Sequence, residues 1–212
     1  MGWGIFNFLK GGIEYMENYN HELKNKKVLV GITGSIAAIG IFPYLSILHA
    51  TFDEVKVVMS KSSCQFIKPE IVRLFCNEVF LDEDLSIKGS KGHVEIAKWA
   101  DLMMVIPTTA NTIAKVAYGF ANDLLSSVIL AHNLPVIFFP NMNILMWEKN
   151  VVQHNIELIK AEGHIVINPI KTEAYEIASG SVKLNYVLPN YQEVINIIFK
   201  EIQNRKVTTI EV

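Results

Sequence analysis

The sequence predicts an α/β fold, one doubly wound parallel sheet in a single domain. Three observations carry that prediction. From Lys27 onward, short β-branched runs alternate with segments of helical length. Half of the residues are apolar and the mean hydropathy is +0.28, which suits strands buried on both faces, subunit interfaces, or both. A chain of 212 residues also fits one domain better than two.

The elements follow in order. KVLVGI (27–32) is the first strand, followed by a Gly/Ser turn and a helical stretch. EVKVVMS (54–60) is the second strand, LMMVIP (102–107) the third, PVIFFP (135–140) the fourth and HIVINP (164–169) the fifth. NTIAKVAYGF (111–120) and NVVQHNIELIKAEG (150–163) read as helices between them, the latter stopping at Gly163. This strand–helix repetition makes the expected sheet Rossmann-like (flavodoxin-like). The domain is expected over 27–205, after an N-terminal extension (1–26) and before a tail (206–212). The extension MGWGIFNFLKGGIEYM (1–16) is interrupted by Lys10 and has no basic start, so it does not read as a secretory signal. Phe6 stands where a myristoylation site needs Ser or Thr. Docking of this segment on the core or on a partner subunit is the expectation.

Composition excludes several classes. A formal charge of −2 leaves no basic field for nucleic acid. Cys64 and Cys76 have no disulfide or metal spacing, which reads as a reducing, cytoplasmic compartment. No apolar run reaches the roughly 18 residues of a membrane span. No metal-ligand pattern, P-loop or G-x-S-x-G elbow occurs.

In such sheets ligands bind beyond the carboxyl ends of the strands. Four loops belong there. TGSIAA (33–38) offers Gly34, the Ser35 hydroxyl and the amides through Ile36 to a phosphate at a helix start, although a helix cap accounts for the same residues. Gly31 and Gly34 do not make the G-x-G-x-x-G spacing, so a usual dinucleotide site is disfavoured. MSKSS (59–63) repeats the pattern with Ser60, Lys61 and Ser62. PTTANT (107–112) is rich in hydroxyls, with a capped helix start expected at Asn111 or Thr112. PNMNILMW (140–147) puts two amides, Asn141 and Asn143, and two thioethers, Met142 and Met146, at the mouth of a strand. His93, in KGHVEIAKWAD (91–101), precedes the third strand, and histidine is the side chain whose charge changes nearest neutral pH.

Taken together, GSIAAI (34–39), His93 fourteen residues before PTTANT, AYGFANDLL (117–125) and PNMNILMW resemble the flavin-dependent cysteine decarboxylases. That family includes lantibiotic peptide decarboxylases, phosphopantothenoylcysteine decarboxylase and the plant halotolerance proteins. Its motif P-x-M-N-x-x-M-W is matched in full, whereas P-A-S-A-N-T departs here at Thr108 and Thr109. GHVEIAKWAD, NILMWEKNVVQHNIELIK and YEIASG (175–180) are most similar to the lantibiotic branch.

The resemblance implies the following. The cofactor is FMN, with FAD as the alternative. Gly34, Ser35 and Ile36, beside Ser60, Lys61 and Ser62, hold its phosphate side. Thr109, Ala110, Asn111 and Thr112 line it, Asn141 meets its ring through the backbone, and Gly119 packs closely at the site. His93 is the active-site base, while Asn143 and Met146 bind the substrate. The segment 171–190 is a mobile clamp over a precursor peptide ending in cysteine. The chain assembles as a homotrimer, grouped into a homododecamer, with the flavin between subunits and modification enzymes of the same pathway as partners. The implied reaction is oxidative decarboxylation of the C-terminal cysteine to an enethiol, toward an aminovinyl-cysteine ring. The rival readings are phosphopantothenoylcysteine decarboxylase, which has a cysteine in its clamp where 171–190 has none, a flavin prenyltransferase, and a non-catalytic flavin-binding regulatory protein.

Overall fold

The computed structural model describes residues 23–83, 92–176 and 180–210. Most of the expected extension, the stretch before Gly92, the tip of the expected clamp (177–179) and the last two residues lie outside them.

Strand β1 (Lys27–Ile32) lies in the middle of the sheet. It pairs in parallel with β2 (Glu54–Met59) on one side and with β4 (Leu102–Thr108) on the other. Strand β3 (Glu78–Phe80) extends the β2 edge, and β5 (Ile137–Pro140) and β6 (Ile165–Val166) extend the other, all in parallel. The order β3-β2-β1-β4-β5-β6 is that of a doubly wound Rossmann sheet. The expected fold class is therefore observed. The winding reverses between β1 and β4, which opens a crevice at their carboxyl ends.

Alternation along each strand feeds two cores. Val28, Val30 and Ile32 pack with Leu45 and Leu48 of α1 (Phe42–Thr51) and with Val194, Ile195 and Ile198 of α8 (Tyr191–Ile210). Leu29, Met103 and Val105 face the opposite side. There they meet Leu125 and Val128 of α5 (Leu124–Ala131), Ile113 of α4 (Ala110–Ala117) and Ile156 and Ile159 of α7 (Asn150–Ala161). Phe138 and Phe139 are adjacent in sequence and fully buried in opposite cores. Truncating either to alanine costs about 3–5 kcal/mol. Short helices α2 (Pro69–Val72), α3 (His93–Trp99) and α6 (Ile144–Trp147) complete the described layers.

Several boundaries differ from the sequence-based expectation. The three-residue β3 escapes periodicity because it is too short to show one. The expected fifth strand shrinks to two residues. The helix expected to run to residue 120 ends at Ala117. The reason is local: Gly119 has φ 66°, and Phe120 N–H bonds Lys115 C=O while Gly119 N–H bonds Val116 C=O, a pattern that terminates a helix. The expected clamp is an antiparallel hairpin, β7 (Ile170–Glu176) with β8 (Ser181–Val187), separate from the main sheet. No described helix is long and apolar enough to cross a membrane.

Candidate active site

The crevice at the carboxyl ends of β1, β2, β4 and β5 is a cleft of about 940 Å³. Its wall contains Gly34, Ser35, Ile36, Ser60, Lys61, Ser62, Thr109, Ala110, Asn111, Thr112, Asn141, Asn143 and Met146. These thirteen residues singled out in the sequence thus converge on one hollow, and His93 and Gly119 do not line it.

Hydrogen bonds hold the strand-end loops in place. Thr33 Oγ1 donates to Pro107 C=O (2.7 Å) and accepts Thr109 N–H (3.0 Å), which joins the first and third loops. Ser35 caps the short 3-10 helix 36–40 by accepting Ala37 N–H (3.3 Å). Thr109 caps α4 by accepting Thr112 N–H (3.3 Å). Ser63 N–H donates to Ser60 Oγ (3.2 Å), which shapes the second loop. Gly34 is what lets the first and second loops meet, since a Cβ there would lie 2.4 Å from Ser62 Cβ. Two strand-to-helix turns are thereby held side by side, presenting the backbone amides of the exposed Ile36, Lys61 and Ser62 and the Ser62 hydroxyl, while the buried Ser35 hydroxyl is already bonded to Asn141. That donor set fits a phosphate-bearing group, because backbone N–H groups and hydroxyls satisfy its oxygens without burying a matched charge.

Other cleft residues were not singled out in the sequence. Lys115 and Asp123 form an ion pair on the wall. Asp123 also caps α5 by accepting Ser126 N–H (2.7 Å), and Asp82 accepts Leu124 N–H (2.8 Å). Burial pushes the Asp123 carboxyl up, but its bonds to Lys115 and Ser126 outweigh this and hold it below the ordinary carboxylate value. The capping box is legible in Asp123-Leu-Leu-Ser126, whereas Asp82 reaches the wall only through β3. The hairpin adds Ala174, Tyr175, Asn185, Tyr186 and Val187.

The segment PNMNILMW resolves into distinct duties. Asn141 N–H donates to Thr108 C=O (2.9 Å), and its side chain accepts the Ser35 hydroxyl (2.6 Å). Asn143 caps α6, its Oδ1 accepting Leu145 N–H (2.8 Å), so the cap and the cleft position coexist in one residue. Met146 is 48% exposed at the cleft, while Trp147 is buried and meets the Tyr186 ring at 5.7 Å.

His93 stands apart. It is exposed at the first position of α3 and is not part of the cleft wall of its own chain. Its neighbours Gly92, Val94 and Glu95 border a separate hollow with Lys56, Phe80 and Trp99. Gly119 has a local reason to be glycine: its φ is positive, and among the described residues of this chain a Cβ there would meet nothing within 4 Å.

The chain has relatives among known proteins. The profile of the family described as Flavoprotein matches residues 16–203. The chain belongs to the Flavoprotein family. Within it, mersacidin decarboxylase of Bacillus sp. (strain HIL-Y85/54728) is 45% identical over 163 residues, 77% of this chain and 84% of that protein. Epidermin decarboxylase of Staphylococcus epidermidis is 38% identical over 173 residues, 81% of this chain and 93% of that protein. Among solved structures, a His-to-Asn variant of the peptidyl-cysteine decarboxylase EpiD, in complex with the substrate peptide DSYTC, superposes with a TM-score of 0.76 at 35% identity. That match covers 81% of this chain and 97% of the other. This Flavoprotein member therefore has peptidyl-cysteine decarboxylases as its homologues.

Proposed function

We propose that this protein oxidatively decarboxylates the C-terminal cysteine of a precursor peptide, with FMN as cofactor. One observation carries the reading. The phosphate-type cradle, Asn143 and the hairpin line a single cleft, so a cofactor and an extended peptide end share one space.

The roles divide as follows. Gly34–Ile36 and Ser60–Ser62 hold the cofactor phosphate through amides and hydroxyls. Thr109–Thr112 and the Asn141 backbone line the ring side. A flavin held by these residues would accept the two electrons and two hydrogens that convert the cysteine Cβ–S unit to a thioaldehyde. The adjacent carboxylate then leaves as carbon dioxide, and its bonding electrons give the enethiol. The substrate loses two hydrogens and carbon dioxide in total. Asn143, whose oxygen caps α6 by accepting Leu145 N–H, binds the substrate carboxylate through its side-chain amide. A neutral amide orients the anion without adding a charge that opposes its departure. His93, lying outside the cleft of its own chain, serves as base in the cleft of a neighbouring copy, which makes the enzyme an oligomer, a homotrimer or a homododecamer.

The deciding experiment is incubation of the flavin-loaded protein with a panel of peptides ending in cysteine, read by mass spectrometry. The expected product lacks carbon dioxide and two hydrogens together. Loss of carbon dioxide alone would mean that the electrons had returned to the product, and would overturn the peptide enethiol reading. Mixing His93→Asn chains with Asn143→Asp chains should restore part of the activity that each lacks alone. No restoration after subunit exchange counts against His93 acting across subunits.

A further inference from the structure

Asn141 occupies a junction that its backbone role does not explain. Its N–H is fixed to Thr108 at the end of the sheet (2.9 Å), so its side chain starts from a rigid point. The Oδ1 atom accepts the Ser35 hydroxyl at 2.6 Å. The Nδ2 atom donates to the Tyr186 carbonyl of β8 at a longer 3.4 Å. One planar amide thus touches the cradle loop, the sheet and the hairpin.

We infer that Asn141 is a positioning residue whose side chain ties the hairpin to the Ser35 loop, and so sets where the hairpin stands over the cleft. The chemistry is specific to a carboxamide at this length. It carries an acceptor and a donor on one rigid plane, which the Ser35 hydroxyl and the Tyr186 carbonyl require together. Aspartate keeps the acceptor and loses the donor. Alanine loses both. Other described contacts at or beside the hairpin are the Trp147–Tyr186 ring contact, the Lys171–Glu148 pair at 3.7 Å, and the Tyr44 hydroxyl on Pro189 C=O (2.7 Å), and these three lie away from the Ser35 loop. Asn141 is thus a direct link through which a change at the cofactor loop is felt at the hairpin. Asn143 follows two residues later, so the same tie aligns the hairpin with the substrate-carboxylate position. The kinetic consequence rests on the proposed peptide reaction, whereas the structural tie does not.

The test reads hydrogen exchange of residues 181–187 in the flavin-loaded full chain, with strand 102–108 as internal control. Asn141→Asp should speed exchange in the hairpin about five-fold and leave the central strand unchanged, in line with loss of one modest hydrogen bond. Asn141→Ala carries the same expectation without an added charge. Ser35→Ala should also loosen the hairpin, and combining it with Asn141→Ala should add nothing further, because both changes cut one connection. In turnover, Asn141→Ala should raise the peptide KM about five-fold, since the hairpin no longer stands in its fixed place over the cleft. Unchanged hairpin exchange in both Asn141 variants, or full additivity with Ser35→Ala, would overturn the tie. A wild-type enzyme that turns over no cysteine-terminal peptide sinks the proposed reaction instead, and the exchange measurements still decide the role of Asn141.

Discussion

The two long walls of the cleft are built in opposite ways. The cradle wall consists of loops anchored at the ends of buried parallel strands and cross-linked by Thr33, Ser35 and Thr109. The hairpin wall forms its own two-stranded sheet, and its described contacts with the body include Trp147–Tyr186, Lys171–Glu148 and Asn141–Tyr186. Farther out, Tyr175, Val182 and Leu184 are 65%, 64% and 51% exposed. The contrast teaches a division of labour. A wall that holds one invariant group gains by being rigid before the group arrives, because the ordering cost is met in folding. A wall that receives a peptide gains from few fastenings and spare apolar surface.

The largest effect should follow from breaking the rigid wall. In Gly34→Ala the new Cβ meets Ser62 Cβ at 2.4 Å, and both loops belong to the cradle. They must separate, so flavin affinity should fall by about a hundred-fold or more, with a lowered melting temperature. Flavin titration followed by fluorescence checks it. An unchanged affinity would mean that the cradle is not where the phosphate sits.

Next comes the point where the walls converge. Aspartate caps helices as well as asparagine does, so Asn143→Asp should fold normally and keep its flavin. Like charges at the substrate carboxylate should nevertheless cut kcat/KM about a hundred-fold. Peptide amides should be poor substrates of the wild type for the complementary reason. Equal turnover of acids and amides would remove Asn143 from carboxylate binding.

A smaller effect is expected on the adaptable wall. Tyr175→Ser alters an exposed side chain of the cleft wall that supports no core, so stability should change by less than about 0.5 kcal/mol. The peptide KM should rise a few-fold while flavin affinity stays constant. A loss of flavin here would erase the distinction between the walls.

The smallest effect lies away from the cleft and sharpens the comparison by leaving both walls untouched. His164 Nδ1 accepts Val136 N–H at 3.1 Å, and burial holds its imidazole below the ordinary value of 6.5. The native state therefore favours the neutral ring. Its stabilising contribution is complete above pH 6.5 and is lost as the pH falls through the lower folded value, since the unfolded chain binds the proton first. Urea midpoints should fall slightly between pH 7.5 and pH 5.5, and a His164→Asn variant should show a flatter profile.

Much of this was legible in the residues themselves. Strand runs such as LMMVIP and IFFP carry their burial in their composition, because a strand covered on both faces must be apolar throughout. Caps at Ser35 and Asn143 follow from short polar side chains placed just before helices, whereas α4 is capped at Thr109 and so begins earlier than the expected start at Asn111 or Thr112. Since parallel strands share one direction, the loops following them must gather on one edge, and thirteen expected site residues lie there. Tertiary structure alone decided the rest. The three-residue β3 and the arrival of Asp82 at the cleft depend on pairing with β2, which no local pattern announces. The side-chain bonds of Asn141 join positions 35, 141 and 186, and sequence spacing has no term for such a meeting. The separation of His93 from its own cleft is of the same kind, because distance across a surface is a property of packed layers and not of fourteen intervening residues.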